Sequence, residues 1–345
     1  MAAEMAAEVV VQHPGPPAPH MSRRHYPRVL AQLLVRMRMD LLALVGLCLV
    51  SFWIKPFGLV GMTQGSAFPV LGIAVSIFLG FRNTQAINRW WEARGLWGSV
   101  VNQSRQWREA LLAVLGPAEH HPCEHRRLLQ LQVLLVWLAN LELRNFGVRS
   151  HRQRTLALAA QLGFAEDVTL LQVLWVRAEA LHCLRAQGVI SDLGRDALLR
   201  STEAFTTALG GLQKIRNTPI PPAYDMFVRL IAWVFGYDLF LGFLVNGRPL
   251  IGSLLFLGFL VAERIGAYVE GPFDRDGSSF SLPLNQICLG ISRDLLGDDS
   301  PFADLPECRD PSVWTWGALN SGCDQVGAAA EQLLVEPLEG IDVAP

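Results

Sequence analysis

The sequence predicts an all-α integral membrane protein, with four transmembrane helices per subunit and a helical bundle outside the bilayer. Three observations carry that prediction. Four stretches, at 41–54, 67–81, 230–245 and 249–262, are nearly free of charge. Arginines crowd one side of those stretches and avoid the other. The long segment between the second and third stretches is polar, with leucines at helical spacing, and no segment shows the alternation of a strand. The chain of 345 residues is 51% hydrophobic and only 17% charged, against roughly 25% charge in an average soluble domain.

Taken in order, residues 1–24 carry Ala, Pro and Glu without an apolar core. They lack the basic start and apolar run of a signal peptide and read as a disordered tail. Residues 25–97 hold the first transmembrane pair. The run 41–54 stops at Lys55-Pro56, and 67–81 is uncharged until Arg82. Residues 98–217 form the polar helical region, with helices expected near 128–143, 166–187 and 193–214 and a break at 188–192. Residues 218–270 hold the second pair, 230–245 (interrupted by Asp238) and 249–262, which ends at Glu263-Arg264. A post-membrane segment covers 271–297. Residues 298–345 form a polar, acidic tail with one short helix near 325–335.

Each apolar run is shorter than the roughly 18 to 20 residues of a lone spanning helix, so four buried helices of a soluble bundle are the competing reading. The charge asymmetry argues for the membrane. Arg23, Arg24, Arg28, Arg36 and Arg38 precede the first run, and Arg82, Arg89, Arg94, Arg105 and Arg108 follow the second. The links within the pairs carry only Lys55 and Arg248. The positive-inside rule then puts both termini and the middle segment in the cytoplasm. Short runs suffice if the helices continue into a protein-lined aqueous space, where charges face the interior. Arg229, Asp238, Glu263 and Arg264 lie in or beside the runs, either as structural ion pairs or as groups along an ion path.

The second run is the most informative. Ile73, Ile77 and Phe81 fall at i, i+4 and i+8, one stripe that drifts by about 40° per step. Beside it runs Gly72, Ser76 and Gly80, a small-xxx-small stripe that lets helices approach closely. A ring of identical helices would use the small stripe for packing and aim the bulky one at the axis. A buried core or a lipid-facing surface would give the same spacing.

The residues that follow narrow the choice. The string FLGFRNTQAINRWWEARGLWGSVVNQSR, residues 78–105, closely resembles the signature of bestrophin ion channels, particularly their bacterial branch. Asn217-Thr218-Pro219-Ile220-Pro221-Pro222-Ala223-Tyr224 resembles the family's turn into its third transmembrane helix. Glu270-Gly271-Pro272-Phe273, with Leu282-Pro283-Leu284 and Arg293-Asp294-Leu295, resembles its post-membrane segment. The resemblance covers roughly residues 25–297.

It implies a funnel-shaped homopentamer in a lipid bilayer, passing monovalent ions through one central pore. The permeant ions would be chloride or other anions, or sodium and potassium as in some bacterial members. Ile73, Ile77 and Phe81 match the family's neck, and Ile220 a cytoplasmic constriction. Arg82, Asn83, Arg89, Trp90, Trp91, Glu92, Pro219 and Pro221 match its interface or structural motif. Animal bestrophins carry an acidic calcium clasp after the Pro-Phe. Here the stretch is Asp274-Arg275-Asp276-Gly277-Ser278-Ser279, too poor in oxygen ligands for a hard cation, so calcium-independent activity is expected.

Other chemistry finds little support. Six widely scattered cysteines, without a C-x-x-C pair, read as reduced thiols. His120, His121, Cys123, Glu124 and His125 match no zinc spacing and read as a surface loop. No phosphate-binding glycine loop, zinc-protease helix or nucleophile elbow is present, so neither an enzyme nor a cofactor or metal is expected. A formal net charge of -2 gives no footprint for nucleic acid. A secondary transporter or a non-conducting helical membrane protein are the alternatives. A bacterial inner membrane is the expected location.

Overall fold

The computed structural model describes residues 26–54, 68–144, 149–273, 280–303 and 305. Among them every regular element is helical. In chain order these are α1 (Tyr26–Arg36), α2 (Arg38–Ile54), α3 (Phe68–Leu115), α4 (Pro122–Leu143), α5 (Arg149–Gln161), α6 (Leu170–Ala186), α7 (Asp192–Asn217), α8 (Pro222–Val245), α9 (Pro249–Val269) and α10 (Leu284–Leu296), followed by a short 3-10 turn at Gly297–Asp299.

The spine is α3. Its 48 residues make a rod of about 72 Å, more than twice the roughly 30 Å of a bilayer's hydrocarbon core. No proline interrupts the chain between Pro69 and Pro117, so nothing breaks the helix. It therefore passes unbroken through the expected boundary at 97/98, joining an apolar half to a polar half.

In the polar half, Ala93, Trp97, Val100, Trp107 and Leu111 of α3 pack against α4, α6, α7 and α10 in one large core. α4 is its centre, buried on nearly every side from Leu131 to Ala139. Local signals set the ends of the other helices. Thr169 and Gln172 form a reciprocal capping box, starting α6 at Leu170 rather than at 166. Gly188 takes the left-handed conformation (φ 73°) that ends it, and Ser191 caps α7. The core extends beyond residue 297: Phe302 stacks on Trp137 at 4.4 Å and is buried. Residues 1–24 and the expected helix near 325–335 lie outside the described residues.

One core group is charged. Arg177 is fully buried, with its guanidinium 4.7 Å from the Trp107 ring and 5.5 Å from that of Phe205. It donates to Gln132 Oε1, and Gln132 donates onward to Ser104 Oγ at 3.0 Å. Burial pulls its pKa down from the usual arginine range to about 9.

In the apolar half, α8 and α9 form a tight hairpin. Gly247 turns it with φ 73°, and the Arg248 amide donates to Phe243 O at 2.8 Å. A methyl on Gly252 would sit 3.1 Å from the backbone of Phe240, so the glycine permits this close approach. α2 packs on the pair through Leu44, Phe240, Leu244, Phe256 and Leu260. The first turns of α3 pack on α8 through Val75, Leu79, Val228, Ala232 and Phe235.

By length and composition, α3, α8 and α9 can each cross a membrane. α2, the expected first span, has 17 residues, and residues 55–67 after it lie outside the described set. The outward faces of these helices carry exposed Leu42, Leu49, Trp53, Leu250 and Leu254, far more apolar surface than a soluble monomer shows.

Candidate functional site

Among the described residues nothing covers the apolar stripe of α3. Val75 and Leu79 point into the core, at 0% and 5% exposed, while Ile73, Ile77 and Phe81 are 63%, 51% and 62% exposed. The small-residue stripe divides. Gly72 lies under the Phe235 ring, so close that an added methyl would come within 2.9 Å of it. Ser76 turns its hydroxyl back to Gly72 O at 2.8 Å, as helical serines do. A methyl on Gly80 would meet nothing within 4 Å among the described residues. Ile73 and Ile77 also edge a shallow apolar groove of about 550 Å³, shared with Phe235, Leu239, Leu255 and Phe259.

Immediately after Phe81, the charged residues that bound the apolar stretches converge. Arg82 is fully buried. It pairs with Asp225 of α8, donates to Glu263 O at 3.0 Å, and lies 3.9 Å from Glu263 Oε1 and 3.8 Å from Glu270 Oε2. Asp40 of α2 holds both Arg229 of α8 at 3.1 Å and Arg264 of α9 at 2.7 Å. Glu263 lies 3.5 Å from Arg264. These seven groups, four carboxylates and three guanidiniums, tie the start of α2, the middle of α3, the start of α8 and the end of α9 into one level. The uncharged stretches all lie on one side of it. Asn83 adds a hydrogen bond to Ala262 O at 3.1 Å. A side chain on Gly266 would collide with Asn83 and Arg82.

A second knot lies one heptad further along α3. Arg89 donates to the backbone carbonyls of Ile215, Thr218 and Glu270. Two of these are at the C-terminal end of α7, where unpaired carbonyls favour a cation. Ile220 is half-buried between Pro219 and Pro221, both exposed, and its amide donates to Glu270 Oε1 at 3.0 Å.

The structure therefore brings Arg82, Asn83 and Arg89 together with the Pro219–Pro221 turn through α9. Trp90 and Trp91 meet edge to face at 5.1 Å. Trp90 packs on the polar-half core, whereas Trp91, 59% exposed, and Glu92 face outward. Sequence reasoning identified Arg229, Glu263 and Arg264 without partners and missed Asp40 and Asp225. An acid among arginines at the mouth of an apolar run, as at Asp40, was the available signal. Asp238, by contrast, has no ion pair recorded among the described residues.

The remaining candidates are structural or out of view. His125 shares a hydrogen bond of 3.0 Å with Gly116 O, closing the turn into α4. Among the described residues no His, Cys, Asp and Glu side chains cluster as metal ligands would. Cys48, Cys123, Cys183 and Cys288 are free thiols; Cys308 and Cys323 lie outside the described residues, as does the 274–279 stretch.

Comparison with known proteins is consistent throughout. The family described as Bacterial/Fungal Bestrophin protein matches residues 11–297. The voltage-dependent anion channel-forming protein YneE of Salmonella typhi is 27% identical over 291 residues, covering 82% of this chain and 91% of its own. A voltage-dependent anion channel-forming protein of Synechocystis is 28% identical over 279 residues, covering 78% and 86%. The crystal structure of a bacterial bestrophin homologue from Klebsiella pneumoniae superposes with a TM-score of 0.62 at 27% identity, covering 75% of this chain and 97% of that one.

Proposed function

The chain belongs to the bacterial and fungal bestrophin family, and on that premise we propose that five copies surround a single pore that conducts monovalent ions down their gradient. Ile73, Ile77 and Phe81 form its neck, and Ile220 forms a second constriction at the cytoplasmic end. The observation that carries the reading is the bare stripe: three large apolar side chains, each more than half exposed, on a helix whose opposite face is fully packed. Hydration of such a surface is unfavourable. A ring of five α3 helices would gather the stripes around a narrow axis, with Ser76 and Gly80 letting neighbours close in.

Isoleucine and phenylalanine cannot coordinate an ion, so this neck works by shedding water and can gate by dewetting. Discrimination by sign then comes from vestibule charge. The names of the relatives, anion channel-forming proteins, favour chloride and other anions over sodium and potassium. Conduction requires no bond making, cofactor or metal. The seven-charge level between α2, α3, α8 and α9 supports an orientation in which this edge and the polar half face the cytoplasm, in a bacterial inner membrane.

The test is planar-bilayer recording of the purified protein under asymmetric salt. Unitary currents are expected, with a reversal potential near that of chloride. Folded protein that carries no current at any voltage, or that elutes as a monomer in detergent, would sink the central-pore reading.

A further inference from the structure

We infer that Arg89 and Glu270 are positioning residues for the cytoplasmic constriction, holding the backbone on which Ile220 is mounted. The inference rests on the reading of Ile220 as a constriction. From α7 the chain leaves its last helical bond at Thr218, whose amide donates to Lys214 O at 3.0 Å. It then runs Pro219-Ile220-Pro221-Pro222 into α8. Prolines have no N–H, so Ile220 supplies the only backbone donor between Thr218 and Ala223. That one donor is taken by Glu270 Oε1 at 3.0 Å.

The acceptors just upstream are held equally specifically. Arg89 reaches the carbonyls of Ile215 and Thr218 with its two terminal nitrogens and the carbonyl of Glu270 with Nε at 3.1 Å. The turn is thus clamped from both ends by two side chains, one on α3 and one at the end of α9. A planar guanidinium suits three divergent carbonyls; a lysine ammonium on its flexible stem does not hold them in the same fixed fork.

The clamp is also tied to the neck. Glu270 Oε2 lies 3.8 Å from Arg82 Nη2, and Arg82 directly follows Phe81. One carboxylate therefore touches the mount of Ile220 with one oxygen and the base of the neck helix with the other.

The experiment measures relative permeability in bilayers for a small and a large ion of the permeant sign: chloride against gluconate, or sodium against N-methyl-D-glucamine. Ile220→Ala is expected to lose most of the discrimination against the larger ion. Glu270→Ala is expected to lose it in the same direction. Glu270→Gln keeps an oxygen for the Ile220 amide and retains the wild-type ratio, which a merely electrostatic role would not allow. In the Ile220→Ala background, Glu270→Ala adds nothing further. Arg89→Lys is a milder second probe, expected to shift the ratio the same way while the oligomer's elution is unchanged. Wild-type ratios in both Glu270→Ala and Arg89→Lys, with Ile220→Ala shifted, overturn the positioning role and leave the constriction standing. A wild-type ratio in Ile220→Ala overturns the constriction itself, and the inference with it.

Discussion

Removing Arg82 strands a negative charge, and the structure indicates which one. Its three carboxylate neighbours differ in their access to water: the side chain of Asp225 is 40% exposed, that of Glu270 18% and that of Glu263 1%. In Arg82→Met, Asp225 and Glu270 can turn to solvent, while Glu263 keeps only Arg264 at 3.5 Å. Neither Glu263 oxygen has a hydrogen bond among the described residues. Breaking a buried pair on one side costs about 3–5 kcal/mol. For a chain of this size that corresponds to a fall of roughly 4–7 °C in melting temperature. Glu263→Gln acts oppositely. It removes the surplus charge of a cluster with four acids and three bases, keeps the side chain's volume, and is expected to stay within about 1 kcal/mol of wild type. Arg82→Met combined with Glu263→Gln should recover about 1–3 kcal/mol of the single loss, a coupling read by a double-mutant cycle. The assay is the fraction of detergent-solubilised oligomer surviving a heat step, followed by size-exclusion elution. If Arg82→Met melts with wild type, or Glu263→Gln falls as far as Arg82→Met, the stranded-charge argument is wrong.

Four further outcomes are expected. Alanine at Ile73, Ile77 and Phe81 together widens the neck and raises single-channel conductance; unchanged conductance and selectivity would refute the assignment. Activity is flat across micromolar calcium, because residues 274–279 offer two carboxylates with an arginine between them; steep activation in bilayers would contradict this. Arg177→Ala leaves a gap between Trp107 and Phe205 and should cost about 2–4 kcal/mol, whereas Arg177→Met fills it without the buried charge and should stay within roughly 1.5 kcal/mol, both read by thermal melting. Hydrogen bonds from Arg185 hold the Asp192 carboxyl below its usual range. The bridge therefore favours the fold above the ordinary aspartate pKa and loses that contribution as pH falls through the lowered value. The small deficit of Asp192→Asn at neutral pH should vanish in acid, and a deficit that persists there would refute the linkage.

Properties written locally were legible in the chain. Loss of charge over 230–245 and 249–262, the leucine spacing of 128–143 and the glycine at 188 each reflect a neighbourhood of a few residues, and the helices are where those signals put them. The start of α6 was equally local, since Thr169 and Gln172 spell a capping box; leucine periodicity alone put the expected start four residues too early. The continuity of α3 was written too, as the absence of proline from 70 to 116, but a change from apolar to polar composition resembles a domain boundary even inside one helix.

Partners were not legible, and the reason is physical. Asp40 meets Arg229 and Arg264 across 189 and 224 residues of chain, and no periodicity spans such distances. What sequence does supply is the demand: a charge at the edge of an apolar run must be neutralised or wetted. Five of the seven charges at the level beneath Phe81 close in the three pairs centred on Asp40 and on Arg82 with Asp225, while Glu263 is enclosed without hydrogen bonds among the described residues. Ile73, Ile77 and Phe81 present the opposite case, a demand that the described residues leave unmet. Apolar side chains this exposed, directly above a level at which Arg82 and Glu263 are fully buried, leave a surface for something outside the described residues to cover.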